Sequence, residues 1–186
     1  MSGVGGSEWQ VALLRGVNVG HAKRVAMADL RRLFEELGYS DVRTLLNSGN
    51  VVCTASKKGG ADHVARIEKA IAGSLGVSTR VVILSGEELE EALRENPLAA
   101  IATDPSRHQI MALRDSEAAA RLKPLLKEHW APEALAIRKR FAYIWCLHGT
   151  VKGRLWPEAN RTVGDAGTSR NLATMTKLLA LMRNQP

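Results

Sequence analysis

The chain reads as an α+β protein built from two ferredoxin-like units, β-α-β-β-α-β plaits, the second of them atypical. Three observations predict this. Short apolar runs of strand length alternate with longer stretches of helical period. A strand–turn–strand over residues 42–55 interrupts what would otherwise be plain β-α alternation. A similar order of elements resumes after about residue 107, and no sequence repeat accompanies it.

The first unit is assigned to residues 8–85. Val11–Val17 is a strand. "MADLRRLFEELG" follows as a helix, with Leu30, Leu33, Phe34 and Leu37 on one stripe and Gly38 at its left-handed C-terminal position. "VRTLL", "NSGN" and "VVCTA" give strand, tight turn and strand over 42–55. "SKKGG" is a loop. The next helix carries Val64, Ile67, Ile71 and Leu75 on one face, and "TRVVILS" (79–85) is the closing strand. Ser85 and Glu88 form a capping box for a helix that ends near residues 95–97. Residues 86–106 are that helix and a linker.

The second unit is assigned to residues 107–186. It has a strand at 108–113, a helix at 116–129 and strands at 133–140 and 141–147. An irregular stretch follows, then a last helix that starts near Ser169 and carries Leu172, Met175, Leu179 and Met182. Pro124 falls inside the 116–129 helix, where it is unfavourable. The final strand of the plait is expected to be missing or atypical.

Composition narrows the function classes. At 186 residues and 45% hydrophobic, the chain is long enough to bury a real core. The net charge of +7 favours anionic partners, although excess charge also serves solubility. Cys53 and Cys146 stand alone in apolar runs, as reduced buried thiols of a cytoplasmic protein. No apolar stretch nears the roughly 20 residues of a membrane span, and the N-terminus lacks a signal-peptide pattern, so no membrane association is expected. The five histidines are scattered without ligand spacing, so neither a metal nor another cofactor is expected.

Topology brings two distant motifs together. A β-α-β-β-α-β sheet has strand order 4-1-3-2, which places the exit of strand 1 beside the turn between strands 2 and 3. "RGVNVGHAKR" (15–24) and "NSGN" (47–50) should therefore adjoin, near the start of the first helix. The candidate ligand-binding residues there are Arg15, Asn18, Gly20, Lys23, Ser48 and Asn50. Main-chain N–H groups at glycine turns and a helix start suit an anion. The spacing matches neither a phosphate loop nor a dinucleotide fingerprint. The alternative is that Asn18, Ser48 and Asn50 cap their own turns and Arg15 pairs with a carboxylate.

Two further features lie in the second half. Phe141, Tyr143 and Trp145 share one strand face just after Arg138, Lys139 and Arg140. Such a stripe can stack single-stranded nucleic acid, but core packing is the simpler account. Arg170 and Asn171 are expected in the first turn of the last helix. A cation there opposes the helix dipole, so both residues join the candidate ligand-binding set.

"ALLRGVNVG", "MADLRRLFEELGYSDVRT", "NSGNVV" and the "TSRN" segment with its following Thr and Lys-Leu resemble the uncharacterised bacterial family of domain of unknown function 1697, DUF1697. The resemblance runs from about Trp9 to Met182. It implies two ferredoxin-like units and no particular activity. Many members have an aromatic where Leu172 stands, and a Ser-Lys pair where this chain has Gly153 and Arg154.

The leading functional expectation is a binding module for an anionic ligand, either nucleic acid or a phosphorylated small molecule. A second is an enzyme acting on a small phosphate- or carboxylate-bearing substrate, anchored by Arg15 and Arg170 and oriented by Ser48 or Asn50. A third is a structural or interaction domain in which every one of these polar groups is internal.

Overall fold

The computed structural model describes residues 8–20, 24–55 and 62–184. The expected loop at 56–60 lies outside them. Two compact units emerge. One comprises the chain up to Leu89 together with the stretch from Leu178, and the other runs Glu90–Lys177.

In the first unit, β1 (Glu8–Leu14) leads through α1 (Met27–Glu36) to β2 (Ser40–Leu45). β3 (Asn50–Ala55), α2 (Asp62–Leu75) and β4 (Val81–Ser85) complete it. The antiparallel sheet has the order β2-β3-β1-β4, the expected arrangement. Leu13 lies opposite Asn50 and Trp9 opposite Thr54, so β1 and β3 are direct neighbours. Ala12, Leu14, Val51, Cys53 and Val81 form one core with Leu30, Leu33 and Phe34 of α1 and Ile67 and Ile71 of α2. These are the predicted stripes, since side chains three and four apart share a helix face. Alternate sheet residues Val11, Leu13, Val52 and Leu84 are buried too, which explains the continuous apolar runs.

The end of α1 shows how local chemistry fixes the chain path. Gly38 has φ +91°. Its N–H donates to Glu35 O at 3.0 Å, and the Tyr39 N–H donates to Phe34 O at 3.1 Å. The Phe34 and Tyr39 rings then meet with centroids 5.2 Å apart. This is a Schellman termination with its usual apolar contact.

The chain continues through α3 (Gly86–Arg94), which divides between the units after Leu89. Its capping box is present: the Ser85 N–H donates to Glu88 at 2.9 Å and the Glu88 N–H to Ser85 Oγ at 3.1 Å. The second sheet contains β5 (His108–Leu113), β6 (Ala134–Arg138), β7 (Phe141–Trp145) and β8 (Gly167–Asn171), in the order β6-β7-β5-β8. Its helices are α4 (Ser116–Leu122), α5 (Gly149–Lys152), α6 (Leu155–Val163) and the start of α7 (Leu172–Arg183). The whole is an α+β fold with two four-stranded antiparallel sheets.

Two expectations for this half are corrected. The helix predicted over 116–129 is α-helical only to Leu122, and Lys123–Lys127 form a 3-10 turn with Pro124 at its start. Proline removes a donor and clashes with the preceding turn, so it begins a new segment rather than sitting inside one. The final strand is present as β8: Ile110 pairs with Arg170 and Ala112 with Thr168. The last helix therefore starts at Leu172 and not near Ser169.

Candidate functional site

Asn18 organises the end of the first sheet. It sits at φ +56°, a conformation that asparagine tolerates better than most residues. Its Nδ2 donates to Val25 O at 2.8 Å and to Asn47 O at 2.7 Å, while its Oδ1 accepts the Val25 N–H at 2.8 Å. One side chain thus joins three segments: the exit of β1, the approach to α1 and the β2–β3 turn. Among the described residues the exit of β1 and Val25 thus converge on the β2–β3 turn, and Asn18 holds them together.

The turn itself is tightly built. Asn50 is buried, and its Nδ2 donates to Leu45 O at 2.8 Å and Ser48 Oγ at 2.9 Å. Gly49 has φ +73°, and a Cβ there would lie 2.6 Å from Val17 Cγ2 and 2.7 Å from Leu14 Cβ. The Leu14 N–H donates to Gly49 O at 2.8 Å. Asn18 and Asn50 are thus builders of the site, each engaged with protein groups.

Arg15 is half-buried at the strand exit. Its N–H donates to Arg80 O at 2.8 Å, and its carbonyl accepts from Thr79 Oγ1 at 2.7 Å. Gly20 is exposed at φ +61°, with open space where a Cβ would stand. Arg24 is exposed, and Lys23 lies outside the described residues. The N-cap of α1 is Ala26, which supplies no capping side chain to the first-turn N–H groups. Residues 9–28 and 42–55 hold four cations (Arg15, Lys23, Arg24 and Arg43) and no acidic residue.

The remaining candidates belong to the second unit. Arg170 is on β8, so the helix-dipole argument for it falls. Its Nη1 donates to Ser169 O at 2.8 Å and Thr168 Oγ1 at 3.1 Å. Burial pushes its pKa down to about 10, which leaves it charged at neutral pH. Asn171 caps α7, with Oδ1 accepting the Thr174 N–H at 2.9 Å. The aromatic stripe is core: Phe141, Tyr143 and Trp145 are all buried. The Tyr143 hydroxyl donates to Ala92 O at 2.9 Å, and burial raises its pKa to about 12. Arg138 pairs with Glu95 at 2.6 Å, and Lys139 pairs with Glu91.

The family model for "Protein of unknown function (DUF1697)" matches residues 8–143. The chain belongs to the DUF1697 family. Its fold is similar to that of the conserved bacterial protein SP0830 from Streptococcus pneumoniae. That similarity has a TM-score of 0.74 at 23% identity over 96% of this chain and 100% of the other. No functionally curated protein matches the chain.

Two polar features of this DUF1697 protein escaped sequence reasoning. Glu133 is buried, and its Oε2 accepts the N–H groups of Arg154 at 2.9 Å and Leu155 at 3.1 Å, capping α6 from another element. The separation of 21 and 22 residues hides this from any local capping rule. His108 is fully buried, and neither ring nitrogen has a protein partner. Burial lowers its pKa to about 4. Among the described residues no group of three or more His, Cys, Asp or Glu could hold a metal ion. No described helix is long and apolar enough to cross a membrane.

Proposed function

We propose that this protein is a binding module for an anionic ligand, and that the ligand docks where Asn18 joins the β1 exit, the start of α1 and the β2–β3 turn. The observation that carries this reading is the Asn18 clamp, set in two segments that contain four cations and no acid. A junction already fixed by hydrogen bonds loses little entropy on binding, and cations beside an uncapped helix start favour a phosphate. Arg15 and Arg24 contact the anion, while Asn18, Ser48 and Asn50 fix the loops that present them.

A phosphorylated small molecule fits better than nucleic acid. Base stacking needs accessible aromatic faces; Phe34, Tyr39, Phe141, Tyr143 and Trp145 are buried, and of the half-buried tryptophans Trp9 and Trp130 already have Arg43 and Arg154 over their rings. We further infer that each unit is a ferredoxin-like plait. A cytoplasmic setting is also inferred. Cys53 and Cys146 are buried free thiols, each pushed to about 12 by burial, and such thiols are inert.

The structural reading keeps one observation in its favour, the internal engagement of Asn18 and Asn50. NMR titration with inorganic phosphate, alongside salt titration with single-stranded DNA and RNA, separates the readings. Anion binding predicts amide shifts around 15–20 and 47–50 that fade as salt rises, and an Arg24→Ala variant that binds more weakly with an unchanged Tm. Oligonucleotide binding with a steep salt slope would instead select nucleic acid. An absence of binding of any of these at low salt would overturn the reading as a phosphate or nucleic-acid binder.

A further inference from the structure

Two of the large apolar side chains exposed among the described residues stand next to the two ends of one hydrogen bond. Val19 is 69% exposed and follows Asn18; Leu46 is 53% exposed and precedes Asn47. The Asn18 Nδ2 to Asn47 O bond, 2.7 Å long, joins their neighbours. Leu46 is held at φ +57°, a conformation that leucine rarely adopts. A leucine more than half exposed in an unfavoured backbone state brings only a partial packing gain to the fold, and such outliers concentrate at ligand sites.

From this geometry we infer that the ligand is an amphiphile: a phosphate monoester whose body is aliphatic, with the phosphate at Arg15 and Arg24 and the chain lying against Val19 and Leu46. The inference rests on the anion-binding reading above and adds the chemistry of the rest of the ligand. Charge selects the head, because the two segments hold cations and no acid. The aliphatic pair selects the body, because a sugar or nucleoside would set hydroxyls against it and gain nothing by covering it. The area is small. Two side chains supply only a fraction of the about 800 Å² per partner that a stable protein complex buries, which suits a small molecule. A free amphiphile also fits better than a bilayer. The Asn18–Asn47 hydrogen bond joins the residues next to the two aliphatic ones, and hydrocarbon would leave that polar junction unsolvated.

The test compares inorganic phosphate, ribose 5-phosphate and methyl, butyl and hexyl phosphate by NMR titration of the full chain. Affinity should rise along the alkyl series by about twofold per methylene, half the effect of complete burial, with shifts at Val19 and Leu46. A Val19→Ser, Leu46→Asn variant should keep inorganic phosphate binding and lose the chain-length dependence. Asparagine suits the left-handed position, so the fold is preserved, as an unchanged Tm would verify. If phosphate binds and chain length has no effect, the aliphatic body is wrong and the anion site stands. Should phosphate not bind at all, both fail together. Flotation with phosphatidic acid vesicles, without response to hexyl phosphate, would also overturn the inference.

Discussion

The Asn18 amide donates at 2.7 Å to the carbonyl of Asn47, which lies 29 residues further along the chain. The same side chain holds both main-chain groups of Val25. Replacing it with alanine removes three hydrogen bonds, worth about 1 kcal/mol each, and leaves a Cβ residue in a left-handed conformation at about 1 kcal/mol more. Asn18→Ala should therefore lose about 3–4 kcal/mol in urea unfolding. Asn18→Gly should recover about 1 kcal/mol, because glycine adopts that conformation freely. Equal losses for the two variants would show that the backbone conformation contributes nothing.

Gly49 and Gly20 share a positive φ and differ in surroundings. At Gly49 a Cβ meets Val17 and Leu14 inside 2.8 Å, whereas at Gly20 it meets nothing within 4 Å. Gly20→Ala should be destabilising by about 1 kcal/mol, from conformation alone. Gly49→Ala should be destabilising by about 3 kcal/mol, because overpacking is added. Thermal melts of the two variants, made side by side, read the difference.

Much of this fold is legible in the sequence. Leu30, Leu33 and Phe34 mark α1 by their spacing, and strand order alone predicts that 15–24 adjoins 47–50. Ser85 and Glu88 announce α3. β8 is not legible, because "GTSRN" has neither apolar alternation nor β-branched content beyond Thr168. It becomes a strand by pairing with β5, whose "HQIMAL" is buried throughout. The role of Asn18 is only half legible. A local turn function follows from residue type, but the bond to Asn47 depends on tertiary placement. Glu133 is invisible for the same reason: its partners are 21 and 22 residues away.

That carboxylate and Gly153 should be energetically coupled. A Cβ on Gly153 would lie 2.1 Å from Glu133 Oε1, so any side chain there displaces the cap of α6. Glu133→Ala should lose about 2 kcal/mol through the two uncapped N–H groups at the helix start. Gly153→Ala should lose a similar amount by moving the same carboxylate. In the double variant the second change has no cap left to disturb, so the sum should fall short of additivity by at least about 1 kcal/mol. A double-mutant cycle in denaturant measures this. Strict additivity would mean that Gly153 acts independently of Glu133.

His108 should make the fold sensitive to acid over a definite window. It is fully buried, neither ring nitrogen has a protein partner, and burial lowers its pKa from 6.5 to about 4. Above pH 6.5 the ring is neutral in both folded and unfolded chains, so it confers no pH dependence. Below that, the unfolded chain takes a proton that the folded one refuses. Stability attributable to His108 therefore falls as pH drops from about 6.5 towards 4, by on the order of 3 kcal/mol in total, and levels off below. His108→Leu removes the titrating group and two buried unpaired polar atoms, so it should be at least as stable as the parent at pH 7. Urea midpoints for parent and variant between pH 4 and 7.5 give a difference curve. That curve separates His108 from His63, whose pKa burial and Arg66 also lower. A parent and variant that lose stability in parallel on acidification would show that the buried imidazole is protonated in the fold.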